Sequence, residues 1–315
     1  MQVEDCVRSR PYFHSLPSCA SGPSGSLSRK LPLRAPRLLS QSASRSSHLS
    51  SGNIPGDDDD ATDLRRSRQR KAAADAFCKY FYLLPANTAA LRERVFQLRY
   101  DVYVREFAYE SADSCPEQLE RDAYDEQARH CLLVHRPTGM PAGCVRIVLT
   151  NPRDRMAPLP FEKFCQSALR KQAFDSFAVN RETICEISRL AVPAHFRRRI
   201  GDSPTQGHAL QDPSGLHDRE RDGFPLIPVS LFLAAASMSV ANGCHHAIAM
   251  MEPRLARMTR RFGLPFQQVG DLIDYHGPRA PYYVQREGFF ATVNPEIYRL
   301  LLLIDQQLSF NAYDS

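Results

Sequence analysis

Three groups of charged residues stand in stretches that otherwise read as apolar or strand-forming, where an unpaired charge would be costly. They are Arg99 on a helical stretch, the acidic trio Glu120, Asp122 and Asp125 just ahead of a strand, and Glu186, Ser188 and Arg189 within the strand Ile184 to Val192. Arg146, a lone cation in the run Gly143 to Leu149, adds a fourth point. Taken singly, each fits a structural role, because ion-pair networks are common without catalysis. Taken together, they are carboxylates able to accept protons and guanidiniums able to hold ionic partners. Strand parity puts Glu186 and Ser188 on one face and Arg189 on the other. A site using all of them therefore requires a β-bulge, a device frequent beside active sites, and a broken ladder also frees backbone N–H groups for a ligand. By the same parity Cys185 falls on the opposite face, where a buried cysteine acts as a small hydrophobe.

The elements that must carry these residues can be read along the chain. A short strand at Tyr80 to Leu84 ends at Pro85, and Asn87 or Thr88 is placed to cap a helix. Leu91, Val95, Leu98 and Val102 draw one apolar stripe on that helix, which reaches about Phe107 and includes Arg99. His130 to His135 and Gly143 to Leu149 form an antiparallel hairpin across a Pro-Thr-Gly-Met-Pro turn. A short helix around Phe161 to Leu169 precedes the strand Ile184 to Val192. Helical residues resume at Val229 to Ala241, followed by a strand at His245 to Met251 and a helix at Pro253 to Phe262. Further strands are expected up to Phe290, with a closing helix from Pro295 to about Leu308. This order describes an α/β protein with a mixed sheet rather than a Rossmann repeat.

The chain has 315 residues and 43% hydrophobic content, enough for a substantial core, and its net charge of +5 gives no support to nucleic-acid binding. Nine cysteines, an odd number with no CxxC pair, argue against a disulfide framework and a zinc cluster, so no metal is expected. A reducing compartment and a soluble, cytoplasmic protein follow as the simplest reading. The apolar run Val229 to Ala241 is far too short for a transmembrane segment. No Gly-x-Gly-x-x-Gly or Walker loop is present. Residues 1–75 form a Ser/Pro/Arg-rich leader, expected to be disordered; its Asp57 to Asp60 run counts against a transit peptide. The folded domain is expected over 76–310, with a mobile Gly/Pro-rich insertion at 201–224.

Arg99-Tyr100-Asp101-Val102-Tyr103, Glu120-x-Asp122-x-x-Asp125, Arg146 and Glu186-Ile187-Ser188-Arg189 resemble, in order and spacing, the signature of acyl-homoserine-lactone autoinducer synthases. The rest of the chain looks closer to the acyltransferases associated with PEP-CTERM/exosortase loci, which are grouped with N-acyl amino acid synthases. That likeness rests on Ser188-Arg189-Leu190-Ala191-Val192, Phe196-Arg197-Arg198-Arg199, Met251-Glu252-Pro253-Arg254-Leu255-Ala256-Arg257 and Tyr275-His276-Gly277-Pro278-Arg279-Ala280-Pro281-Tyr282, and covers about residues 80–305. The Trp that marks autoinducer synthases has no counterpart, since the chain contains none.

The resemblance implies a GNAT acyltransferase fold, in which two central parallel strands, here Ile184 to Val192 and His245 to Met251, splay apart around the pantetheine arm of a donor. It implies transfer of a fatty acyl group from acyl carrier protein, or acyl-CoA, to the amine of an amino acid or similar acceptor. No tightly bound cofactor is needed. Glu186 is then the candidate base, with Ser188 and Arg189 beside it. Arg99, Glu120, Asp122, Asp125, Arg146, Tyr275 and His276 would bind the acceptor or hold one another in place. Val192 and Arg197, Arg198 and Arg199 would meet the donor, through either a coenzyme A phosphate or the acidic surface of acyl carrier protein. Two alternatives remain: an autoinducer synthase dependent on S-adenosylmethionine, and a non-catalytic GNAT-like module of an exosortase system.

Overall fold

The computed structural model describes residues 73–154, 156–168, 181–197 and 225–310. The leader up to residue 72 and the insertion at 201–224 therefore lie outside the described residues. An eight-stranded mixed sheet carries the fold, in the order β1-β2-β3-β4-β5-β8-β6, with β7 paired to β8. Strands β1 (Phe81–Pro85), β2 (Ala128–His135), β3 (Pro141–Leu149) and β4 (Ile184–Ala191) run antiparallel in sequence. β4 then pairs in parallel with β5 (His246–Met251), which is antiparallel to β8 (Pro278–Gln285). The short strands β6 (Gln267–Gln268) and β7 (Ile273–Asp274) edge β8.

Helices cover both faces, as alternation along the strands requires. The apolar stripe of α1 (Ala89–Tyr100) does what its spacing predicts: Val95, Leu98 and Val102 pack on Leu132, Val134, Cys144 and Ala191. Thr88 caps the helix by accepting the Leu91 N–H at 3.3 Å, and a wider π-helical turn at Asp101–Glu106 prolongs it. α2 (Pro160–Cys165) lies further along the same face, Phe161 packing with Val148 and Ile184. On the other face α3 (Leu226–Ala241) bridges β4 to β5 and is itself covered by the last helix. Buried between sheet and helix, α3 is apolar on nearly every side. Its Ser237 hydroxyl donates to Asp305 at 2.6 Å. α4 (Pro253–Arg261) follows β5.

Two features were not read from the sequence. A helical segment at 73–80 precedes β1 and buries Ala73, Ala74 and Phe77 in the main core. The segment expected to continue as strand up to Phe290 is instead a helix, α5 (Arg286–Thr292), running into α6 (Pro295–Phe310). Its paired aromatics favour a strand by propensity, but the turn lets Phe289 reach the core while Phe290 packs against its edge. Among the described residues no helix is long and apolar enough to cross a membrane.

Two irregularities in β4 shape everything that follows. Its pairing with β5 covers only Ile184↔His246, Cys185↔Ala247 and Glu186↔Ile248, after which the two strands diverge. On its other edge, Cys144 pairs with Ala191 and Arg146 with Ser188, so three steps on β4 oppose two on β3. This is the bulge that strand parity demanded. Arg189 sits in it with φ +49°, a left-handed conformation costing about 1–2 kcal/mol for a residue with a Cβ.

Gly143 lets α3 settle directly on β3 behind this bulge. A Cβ there would lie 2.9 Å from Leu231 Cδ1 and 3.0 Å from the Ala191 carbonyl oxygen. Gly143→Val is expected to lower unfolding free energy by about 1–3 kcal/mol in a denaturant titration; an unchanged midpoint would contradict the close packing of α3 on β3.

Candidate functional site

The charged residues singled out in the sequence meet on the α1 face of the sheet. Arg99 projects from α1 and is fully buried. It donates to Glu120 through Nε, and to both oxygens of Asp125 through Nη1 at 2.8 Å and Nη2 at 3.2 Å. Arg146, on β3 and equally buried, donates Nη1–H to the same Asp125 oxygen at 2.6 Å and to Asp122 at 2.7 Å. Its Nε–H goes to the Ser188 hydroxyl at 3.1 Å. The Asp122 backbone N–H closes the turn onto Asp125 at 2.8 Å. The acidic trio therefore fits this ion network rather than a solvated loop.

The bulge brings Arg189 round to the same side. Its guanidinium lies 3.1 Å from Glu120, 3.4 Å from Asp122 and 3.3 Å from Glu110, above the Tyr103 ring at 5.5 Å. Tyr103 in turn donates its hydroxyl to the Leu190 carbonyl at 2.9 Å, on the part of β4 that has left β5. Tyr103 carries a partial signal in the sequence, lying four residues after Arg99 on one helix face. Glu110 carries none, because only the fold brings it to Arg189.

Electrostatics divides these groups into two classes. Burial alone would push the Glu120, Asp122 and Asp125 carboxyls up, but the adjacent arginines outweigh it and hold all three below the ordinary carboxylate range. The Arg99 guanidinium, which burial alone would weaken, is held protonated by Glu120 and Asp125. His130 goes the other way. Burial, reinforced by Arg99 and Arg146, pushes its imidazole down to about 4 despite Asp125 at 3.6 Å, so it is neutral at pH 7.

Glu186 belongs to neither pattern. It is 3% exposed, and one of its carboxyl oxygens accepts the Phe161 N–H at 2.7 Å. Burial pushes its carboxyl up to about 8, against the pull of that N–H and of Arg146 and Arg189. Such a group is mostly protonated at pH 7 but keeps an ionised fraction that can take up a proton and release it again near neutral pH. Cys185, one residue earlier, faces α3 with Sγ 3.2 Å from the Ser239 hydroxyl, as parity required.

Where β4 and β5 diverge, a cavity of about 390 Å³ passes between them. Ser188, Arg189, Tyr103, Tyr109 and Met250 line it toward the ion network; Ile187, Ile227, Phe232, Ala249 and Met251 line it toward α3. Val192 lies on the cavity wall. Arg197 does too, but it is engaged by Glu106 and lies over the Phe107 ring at 4.3 Å. Arg198 and Arg199 fall outside the described residues. Tyr275 and His276 occupy the turn between β7 and β8. His276, at φ +54°, stacks on Tyr109 at 4.8 Å, and burial pushes the Tyr275 hydroxyl up, with Arg189 pulling against it. Glu186 itself does not line the cavity; Ser188, two residues on along the same face, does. Among the described residues no cluster of His, Cys, Asp or Glu could hold a metal ion.

The stretch from α1 to the end of β4 holds every member of the network. Residues 98–203 match the acetyltransferase (GNAT) domain family. An acyl-homoserine-lactone synthase of Aeromonas hydrophila is 24% identical over 152 residues, which cover 48% of this chain and 59% of that protein. Among solved structures, TofI in a ternary complex with an inhibitor and MTA is 16% identical with a TM-score of 0.47, covering 72% of this chain and 98% of its own. FeeM, an N-acyl amino acid synthase from uncultured soil microbes, is 12% identical with a TM-score of 0.46, covering 69% of this chain and 97% of its own. The GNAT match spans both β4 irregularities and stops short of β5 and β8.

Asp125→Asn removes the charge shared by two buried guanidiniums and is expected to cost about 3–5 kcal/mol in denaturant unfolding at pH 7. Because the three acids are held below their unfolded values, their contribution is present above about pH 4 and is lost as pH falls toward the folded values. The variant should therefore lose stability less steeply on acidification than the wild type. A separate titration reads Glu186: its carboxylate infrared band should grow in with a midpoint near pH 8 and be missing from Glu186→Gln. A midpoint near 4.5 would remove the basis for treating Glu186 as a poised group.

Proposed function

We propose that the chain is an N-acyltransferase that moves a fatty acyl group from the thioester of acyl carrier protein, or of coenzyme A, to the amine of an amino acid or similar small acceptor. One observation carries the reading: the divergence of β4 from β5 leaves a cavity through the sheet with polar and charged groups at one end and apolar walls at the other. A thioester arm laid in that gap can bond the strand's unpaired backbone groups in place of a neighbouring strand. Its acyl tail then passes toward Ile227 and Phe232.

In this reading the acceptor ammonium gives a proton, through a water by Ser188, to Glu186 in its ionised form, and the free amine attacks the thioester carbonyl carbon. A backbone N–H beside the bulge stabilises the oxyanion. The C–S bond then breaks, and the thiolate leaves with the proton that the attacking nitrogen gives up, yielding an amide and a free thiol. No covalent enzyme intermediate is required. The Arg99, Arg146 and Arg189 network contributes by fixing β3, β4 and the acidic loop, so that donor and acceptor are held in register. The motifs around Met251–Arg257 and Tyr275–Tyr282 support the finer placement with exosortase-associated enzymes of the cytoplasm.

A second reading is an autoinducer synthase using S-adenosylmethionine, favoured by the name of the Aeromonas hydrophila relative. The absence of Trp weighs against it. Expression in a heterologous bacterium, lipid extraction and mass spectrometry separate the two by product mass. With purified protein, Glu186→Gln should lower turnover by about 10²- to 10⁴-fold while leaving donor binding intact. Full turnover in that variant would end the role given to Glu186, and full biological function without turnover would favour the non-catalytic module.

A further inference from the structure

Three arginines line the cavity, and two of them are occupied by the protein's own acids: Arg189 by Glu110, Glu120 and Asp122, and Arg197 by Glu106. Arg279, near the start of β8, is different. It has no carboxylate partner among the described residues, and its Nε–H is buried with no hydrogen-bond acceptor. The Tyr109 ring lies 5.8 Å from its guanidinium carbon. A buried donor left unmade costs about 1–3 kcal/mol, more for a charged group, and such a cost is recovered when a ligand supplies the acceptor.

The placement of Arg279 says which ligand. Along β8, Ala280 and Tyr282 point into the core on the α3 face, whereas Tyr283 packs with Ile248 on the face that holds Glu186. By alternation Arg279 shares the face of Tyr283, and so lies on the acceptor side of the gap. The thiol of Cys165 is close enough to feel both the Glu186 carboxyl and the Arg279 guanidinium. Arg99 and Arg146 are already committed to the protein's own groups, Arg99 to Glu120 and Asp125 and Arg146 to Asp122, Asp125 and Ser188. A planar fork of N–H donors matches a carboxylate in bidentate fashion.

We infer that Arg279 is the anchor for a carboxylate on the acceptor, so that the enzyme acylates α-amino acids and discriminates against the corresponding amines that lack a carboxylate. This rests on the acyl-transfer reading and narrows it to a substrate class. The amine is presented toward Ser188, from which a water relays its proton to Glu186, while the carboxylate is held across the cavity by Arg279 beside the Tyr109 ring.

The test uses the full chain, an acyl thioester donor, the common amino acids and, for each that reacts, its decarboxylated amine. Wild type should prefer the amino acid over its amine. Arg279→Gln should lower kcat/KM for the amino acid by about 10- to 100-fold, mainly through KM, while the amine and the donor KM stay within about 2-fold. Arg279→Lys should recover part of the loss. Equal losses with both acceptors, a raised donor KM, or no loss with the amino acid would each overturn the assignment. Calorimetric binding of the amino acid without donor, present in wild type and absent in Arg279→Gln, reads the site apart from turnover. Binding without any N-acyl product would keep the anchor and sink the acyl-transfer reading; neither binding nor product would sink both. Thermal unfolding of each variant should match wild type.

Discussion

One carboxylate, that of Asp125, is shared by two guanidiniums withdrawn almost wholly from water, one on a helix and one on the central sheet. Desolvating each ion costs several kcal/mol, and only close geometry with every donor matched repays it. Here the match is nearly complete. Arg99 spends its donors on Glu120 and Asp125; Arg146 spends its own on Asp122, Asp125 and Ser188. The consequence is geometric. Helix α1, the acidic loop, β3 and β4 are tied together in one arrangement.

That lock supports a strand that has given up regular pairing on both edges. β4 loses β5 after Glu186, and it takes an extra residue opposite β3 with Arg189 in a left-handed conformation. Exposed ladder groups and backbone strain both cost free energy, and they persist only where the surroundings over-determine them. Arg189, held by three carboxylates, and Tyr103, bonded to the Leu190 carbonyl, supply that determination. The cavity follows from the same divergence. The features that disrupt the sheet and the features that would receive a substrate are one set of residues.

Much of this was legible in the sequence, for local reasons. A four-three-four apolar spacing fixed the face of α1, and an Arg on that helix had to find acids. The parity conflict between Glu186 and Arg189 called for a bulge, and the bulge is there. What could not be read depends on contacts between distant segments. Glu110 meets Arg189 and Glu106 meets Arg197 only because the chain folds back, and neither glutamate stands out in its own neighbourhood. The helix at Arg286–Thr292 was hidden because its aromatics favour a strand until the core claims one of them. The open donor of Arg279 is a property of what surrounds it, and a sequence does not display a missing partner.

The central claim is that the gap between β4 and β5 receives the thioester arm, with the reacting carbonyl near the bulge. A crystal structure with a non-hydrolysable acyl-pantetheine thioether tests it most directly. The account predicts pantetheine amides bonded to the backbone of residues 187–191 and the acyl tail running toward Ile227 and Phe232. Density for the analogue anywhere else, with the gap still open and empty, would contradict it.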